Sequence, residues 1–266
     1  MISKYVAAVL LLLVITLVPD VAASDSGILW LVNRNNRLPS DYKPADLVEY
    51  NGVKLHGAAR KAFAQMIEAM TKDEIHGLRL QSAYRTYSYQ QAIFNQRVKE
   101  LQAQGYDKPE AESKAAKSIQ PSGASEHQLG LALDVSVDGK LTKTFGETPA
   151  GQWLEAHSHN HGFVIRYPCS KTEITQIVYE PWHLRYVGTP HATIMKNLDL
   201  TLEEYLDYMR QAQMYIFWGE DGGYYLLSYS DALPAVLPPG VVDISSISAN
   251  KNGYIITTRK TYPNTW

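Results

Sequence analysis

An α+β fold followed by a small all-β appendix is predicted by three features of the 266-residue chain. Apolar residues at helical spacing are concentrated early, in Ala58 to Met70 and Ser88 to Gln104. Short alternating runs, Leu78 to Tyr84 and Leu131 to Val137, are interspersed with them. After about Gln213 the texture changes to closely spaced strand candidates separated by Gly, Asn and Pro. With 45% hydrophobic and 20% charged residues, the composition excludes a largely disordered chain. Lys plus Arg number 25 against 27 Asp plus Glu, a net charge of -2, which excludes an overall basic field for nucleic acid. A single cysteine, Cys169, excludes an intrachain disulfide framework.

The first element is a targeting segment. Lys4 precedes an apolar run from Val6 to Val18, Pro19 breaks it, and Val21-Ala22-Ala23 offers small residues for cleavage before Ser24. These are the parts of a secretory signal peptide. The run is shorter than the roughly 20 apolar residues that span a bilayer. Cleavage is expected, with an uncleaved N-terminal anchor as the alternative and the only expected membrane contact. The body is expected outside the cytoplasm, secreted or associated with the cell envelope. The expected organisation is a signal peptide over 1–23, a main domain over 24–212 and a β-rich module over 213–266, in a monomer.

Ser24 to Gly52 reads as irregular apart from a short strand at Ile28 to Val32. Ala58 to Met70 is an amphipathic helix, Leu78 to Tyr84 a strand, and Ser88 to Gln104 a helix stopped by Gly105. Asp107 caps a further helix to about Ser118, with Pro109 in its first turn. Leu131 to Val137 is a strand ended by Asp138-Gly139. Thr148 to about Asn160 is a helix, and Gly162 stands where a C-terminal cap glycine belongs. Phe163 to Ile165 and Ile174 to Tyr179 are strands. Thr201 with Glu204 forms a capping box for a helix to about Arg210. Met214 to Trp218, Tyr224 to Tyr229, Val241 to Ser246 and Gly253 to Thr258 are the strands of the appendix, with Asp221-Gly222-Gly223 and Asn252-Gly253 as turns.

Three segments carry candidate chemistry: Ser82 to Thr86, Ser125 to Asp134, and Glu180-Pro181-Trp182-His183. His127, Asp134 and His183 are a possible metal-ligand trio, since a catalytic zinc commonly takes three protein ligands and leaves one position open. Pro181 keeps Glu180 out of a helix. This excludes two His sharing one helical face and suggests a strand ending in a turn, with Glu180 beside the metal as a general base. Each residue taken alone is more often an ordinary satisfied polar group. Small Gly130 and Ala132 would let the backbone pass close to the site. Arg85 is either a structural ion-pair partner or a fixed cation for an oxyanion or carboxylate. Gln90 either faces the same cleft or is solvated. His157, His159 and His161 sit at a helix end, where alternate residues do not share a face, and read as incidental, as does Cys169.

The motifs as a set resemble the VanY-type D-alanyl-D-alanine carboxypeptidases, zinc metallopeptidases of the group that includes lysostaphin and hedgehog folds. Ser125, His127, Gly130, Ala132 and Asp134 match the family's first motif in type and spacing, and Glu180-Pro181-Trp182-His183 its second. Leu31-Val32-Asn33, Leu38-Pro39, Ser82 to Thr86 with Gln90, Gly162-Phe163, Arg166-Tyr167-Pro168 and Arg185-Tyr186-Val187-Gly188 also look like the family. The resemblance covers about Leu31 to Tyr208, with no counterpart recognised for the tail.

The resemblance implies a small antiparallel sheet bearing one Zn2+ held by His127, Asp134 and His183. It implies Glu180 as catalytic base and Arg85 as charge stabiliser. It implies substrate contacts at Ser125 and Gln90, with Tyr84, in the Ser82 to Thr86 stretch, and Trp182, in the second motif, as further candidates. The implied activity is removal of the C-terminal D-alanine from peptidoglycan stem peptides. An L,D-carboxypeptidase, a wall endopeptidase, or a non-catalytic zinc-stabilised wall-binding module are the alternatives. The aromatics of the appendix, including Tyr215, Trp218, Tyr224 and Tyr225, suit either sugar stacking or core packing.

Overall fold

The structure, a computed structural model, describes residues 25–219, 222–248 and 252–261. The expected signal peptide and Asp221 of the first appendix turn lie outside the described residues. No helix among the described residues is long and apolar enough to cross a membrane.

The main body is built on an antiparallel four-stranded sheet of order β3-β4-β6-β5. Its strands are β3 (Arg79–Ser82), β4 (Ala132–Ser136), β5 (Phe163–Tyr167) and β6 (Glu180–Tyr186). Every residue of β4 is buried, so both of its faces are covered. One cover is helix α1 (Gly57–Lys72), which buries Ala59, Ala62, Phe63, Met66 and Met70 along one stripe. Helices α2 (Tyr87–Ala103) and α3 (Lys108–Ala115) form a separate hairpin around Phe94, Val98, Leu101, Ala111 and Ala115. Asp107 caps α3 by accepting a hydrogen bond from the Glu110 N–H, as its position before Pro109 predicts.

Helix α4 (Pro149–His157) continues as a 3-10 turn over Ser158–His161 and stops at Gly162, whose φ is +78°. Helix α7 (Leu202–Ala212) starts with the predicted capping box, Thr201 and Glu204 each bonding the other's backbone N–H. Before it come the single turn α5 (Thr172–Thr175) and helix α6 (His191–Asn197), the latter not expected from the sequence.

Three sequence expectations are corrected. Ile28 to Val32 is not a strand. Leu29 and Val32 are buried, but the backbone makes only isolated bonds, such as the Leu31 N–H to the Ile247 carbonyl, rather than a ladder. Ile174 to Tyr179 is not a strand either. Thr172–Thr175 closes one helical turn, Gln176 turns left-handed at φ +60°, and the Val178 N–H bonds the Lys117 carbonyl, so the strand begins only at Glu180. Ser24 to Gly52 is not irregular throughout. Strand β1 (Leu47–Tyr50) pairs with β2 (Val53–His56) across Asn51-Gly52, both at positive φ, the Asn-Gly pair that favours a tight hairpin turn.

The C-terminal segment forms a second antiparallel sheet of order β7-β8-β10-β9. Its strands are β7 (Met214–Trp218), β8 (Gly223–Ser230), β9 (Val241–Ser246) and β10 (Tyr254–Thr261). One face does not stand apart from the body. Leu227, Ile247 and Ile255 are buried in the same apolar cluster as Tyr205 and Met209 of α7, with Tyr215, Phe217 and Tyr225 packed against it. Buried His191 bridges the two parts, with Nδ1 2.7 Å from the Tyr205 hydroxyl and Nε2 3.2 Å from the Thr257 hydroxyl. Residues 25–31 clasp β9, with Asp25 accepting from the Ser246 N–H and hydroxyl. Of the appendix aromatics, Tyr215 and Tyr225 thus serve packing, whereas Trp218 is exposed on edge strand β7 and lies 5.2 Å from Tyr224 between ring centroids.

Candidate active site

Sheet register assembles the site. Ser82 on β3 is opposite Asp134 on β4, and Asp134 is opposite His183 on β6. Directly opposed residues point to the same face, so residues distant in sequence meet in one row. His127 arrives from the 3-10 turn Glu126–Leu129, which ends at left-handed Gly130 with φ +71°. A Cβ at Gly130 would lie 3.0 Å from both the His56 nitrogen and Leu47. That glycine therefore serves the turn and the β1–β2 hairpin rather than the site the sequence associated it with.

Glu180 reaches the site through a bulge. Ile165 is opposite Leu184 and Tyr167 is opposite Glu180, so β6 carries extra residues against β5. Simple alternation would put Glu180 and His183 on opposite faces. The bulge re-aims Glu180, whose Oε2 lies 3.8 Å from His183 Nδ1.

The ligand atoms of His127, Asp134 and His183 all lie within 4.8 Å of one another, and all three residues are buried. His127 Nδ1 is 2.6 Å from the Ala83 carbonyl and must carry a proton to bond it. Burial first, then Arg85, pulls His127 down to about 4, so the ring is neutral and Nε2 carries a lone pair. That nitrogen is 3.3 Å from Asp134 Oδ2. Burial alone would raise the Asp134 carboxyl, but the positive charge beside it, with the Arg85 guanidinium in direct contact, holds it well below the usual carboxylate range. A lone pair therefore faces an anionic oxygen, an arrangement that a cation between them would satisfy. On the other side, His183 Nδ1 stands 3.1 Å from Asp134 Oδ1. The donor set of two imidazoles and a carboxylate suits zinc, and the residues fit a single ion.

The site opens into a cavity of about 430 Å³, within the range of small-molecule sites. Its lining includes Arg85, Gln90, Ser125, Glu180 and Trp182, bringing those sequence candidates together with the trio. Arg85 donates to Asp134 Oδ2 and, through Nε, to the Ser82 hydroxyl at 2.9 Å. Gln90 is buried rather than solvated and donates to the Gln120 carbonyl at 2.6 Å. Tyr84 is not among the lining residues. Its backbone N–H bonds Lys54 instead, tying the segment to β2.

A family profile described as D-alanyl-D-alanine carboxypeptidase, VanY, matches residues 52–189. The chain belongs to the VanY family. The putative carboxypeptidase YodJ of Bacillus subtilis is 38% identical over 198 residues, covering 70% of this chain and 69% of that one. A mutant of the vancomycin resistance D,D-pentapeptidase VanY from a VanB-type cassette, solved with Zn(II), is 39% identical with a TM-score of 0.60. The match covers 67% of this chain and 98% of that chain. The vancomycin resistance D,D-dipeptidase VanXYg, solved with a D-Ala-D-Ala phosphinate analogue, is 26% identical with a TM-score of 0.72. It covers 88% of this chain and 94% of that chain. That coverage exceeds what Leu31 to Tyr208 can fill, so the structural likeness extends into the C-terminal sheet, for which the sequence showed no counterpart.

Several residues of this VanY-family site were not singled out by sequence. Tyr167 lines the cavity and packs on His183 with ring centroids 4.8 Å apart. Gln120, Ile93 and Leu141 are also in the walls. Only Tyr167 had any signal, through Arg166-Tyr167-Pro168. Behind the metal turn lies an unexpected ion network. Glu126 Oε1 accepts from Arg166 Nε at 2.8 Å and lies 2.9 Å from Arg185 Nη1, all three side chains being buried. Arg166 also holds Glu203 of α7 through both terminal nitrogens. Against the cost of burial, the two guanidinium groups hold the Glu126 carboxyl below its usual range. His157 and His161 pack around Trp153, and among the described residues neither they nor His159 belong to a metal-holding group. Cys169 is a free, exposed thiol.

Proposed function

We propose that this chain is a zinc-dependent D,D-carboxypeptidase that removes the C-terminal D-alanine from peptidoglycan stem peptides. The observation that carries this is buried Glu180, held beside but outside the His127–Asp134–His183 group and facing the same cavity. A purely structural metal centre needs no such carboxylate. His127 through Nε2, Asp134 through its carboxylate and His183 through Nδ1 would hold the ion. When bound, zinc supplies Lewis acidity, lowering the pKa of water and polarising a carbonyl.

Glu180 accepts the proton of the water that attacks the scissile carbonyl. It returns that proton to the leaving amine as the C–N bond breaks, releasing D-alanine and a peptide shortened by one residue. In the metal-free protein burial, and then the Asp134 charge, push Glu180 up to about 9, with Arg85 opposing. A cation beside it acts in the opposite direction and favours the ionised base. Arg85 provides a guanidinium at the cavity wall for the charge that develops on the carbonyl oxygen. Ser125 and Gln90 orient the terminal residue, and Trp182 forms part of the wall. Tyr84, off the lining, has no role in this scheme.

We assign catalysis to residues 24–212, with 213–266 packed on it as a β module. The polymer lies outside the cytoplasm, so the enzyme acts there, directed by the segment 1–23 and working as a monomer.

The test is product analysis by mass spectrometry of zinc-loaded protein with pentapeptide and tetrapeptide stems. Loss of one alanine from the pentapeptide, abolished by a chelator, is expected. Loss from the tetrapeptide alone would replace the D,D assignment with an L,D one. No cleavage with zinc bound would leave an endopeptidase or a binding module.

A further inference from the structure

A second groove of about 300 Å³ adjoins the catalytic cavity, and Gln120 lines both. Its other walls are Asn33, Arg34, Asn35, Ile174, Thr175 and Gln176, so among the described residues Arg34 is the only charged side chain in the lining and no carboxylate lines the groove with it. The guanidinium is anchored rather than mobile. Its Nη2 donates to the Gln176 carbonyl at 2.9 Å and to the Ala116 carbonyl at 3.3 Å. Carbonyl partners leave its positive charge unneutralised, and Nε and Nη1 remain for a ligand. At the junction, Gln120 is 92% buried, with its Oε1 buried and unpartnered. Such an acceptor suits a peptide N–H passing from one cavity to the other.

We propose that this groove is an acyl-side subsite in which Arg34 binds a carboxylate of the stem peptide upstream of the scissile bond. This rests on the carboxypeptidase function proposed above. A carboxypeptidase leaves one residue on the leaving side, and one residue spans only about 3.5 Å. A second cavity beyond Gln120 therefore takes the acyl portion of the chain. The Arg37 side chain supports the position, since its Nε donates to the Arg34 carbonyl at 3.3 Å and brings a second cation nearby. Planar guanidinium and carboxylate pair in a fixed geometry, so the subsite distinguishes a free acid from its amide.

The test compares three substrates. One is N-acyl-L-Lys-D-Ala-D-Ala, with no upstream carboxylate. The second is L-Ala-γ-D-Glu-L-Lys-D-Ala-D-Ala with the glutamyl α-carboxylate free, and the third is the same peptide with that group amidated. Arg34→Gln is expected to lower kcat/KM on the acidic pentapeptide roughly tenfold, through KM, and to leave the other two within about twofold. Arg34→Lys should retain most of the preference for the acid. Equal losses on all three substrates, or no loss on any, would overturn the proposal. If the unmodified enzyme cleaves none of them, the carboxypeptidase function falls. Calorimetric binding of the acidic and amidated stem tripeptides then decides the groove separately. A preference for the acid that Arg34→Gln abolishes supports it, and equal binding refutes it.

Discussion

Glu180→Gln is expected to lower kcat by about 10² to 10⁴ while leaving zinc content and the melting temperature nearly unchanged. The amide matches the carboxyl in shape, so packing against His183 and Tyr167 survives. It cannot accept the proton of the attacking water, so the step that depends on the carboxylate is lost. Zinc should remain because Glu180 is not one of the three groups whose donor atoms converge within 4.8 Å. His183→Ala supplies the contrast, since removing one of three ligands should drop metal content from one ion per chain to near zero. Metal analysis by mass spectrometry alongside steady-state kinetics separates the two roles. A fully active Glu180→Gln enzyme would remove Glu180 as the base, and unchanged zinc in His183→Ala would remove that residue from the coordination sphere.

The second large effect is on stability. Glu126→Ala is expected to destabilise the fold by about 3–5 kcal/mol, a fall in melting temperature of roughly 6–20 °C. The side chain is fully buried and stands between Arg166 and Arg185. After truncation Arg166 keeps Glu203, but Arg185 is left with only backbone carbonyls, those of Ile28, Trp30 and Tyr186. A buried guanidinium without a counter-charge carries a large desolvation cost that the lost carboxylate had offset. Glu126 also precedes His127, so the turn presenting that ligand should loosen and weaken zinc binding. Thermal melts of the apo and zinc-loaded variant measure both effects. A melting temperature within 2 °C of the parent would show that the network contributes nothing net.

Much of this molecule was legible in the chain because the signals are local. The cap at Asp107, the capping box at Thr201 and Glu204, and the stop at Gly162 each depend on residues within one or two turns. The strands of the C-terminal sheet showed in the same way, through alternation and turn residues. The expectations that failed concern segments whose conformation is set by distant partners. Ile28 to Val32 has the composition of a strand but lies against the end of β9. Ile174 to Tyr179 has β-branched residues, yet Gln176 turns left-handed and Val178 bonds Lys117.

The sequence by itself determined the residue types of the site and their membership of one motif set: His127, Asp134 and His183 with Glu180, Arg85, Ser125 and Gln90. Tertiary structure decided how they meet. Register between β3, β4 and β6 aligned Ser82, Asp134 and His183, and a bulge turned Glu180 to the same face. It also decided that the C-terminal sheet shares its core with α7, and that Arg34 stands in a groove that shares the Gln120 wall with the cavity. The physical reason is the range of the interactions. Helix caps and turns act over a few residues, whereas register, shared apolar burial and the pairing of buried charges join residues that the chain keeps far apart.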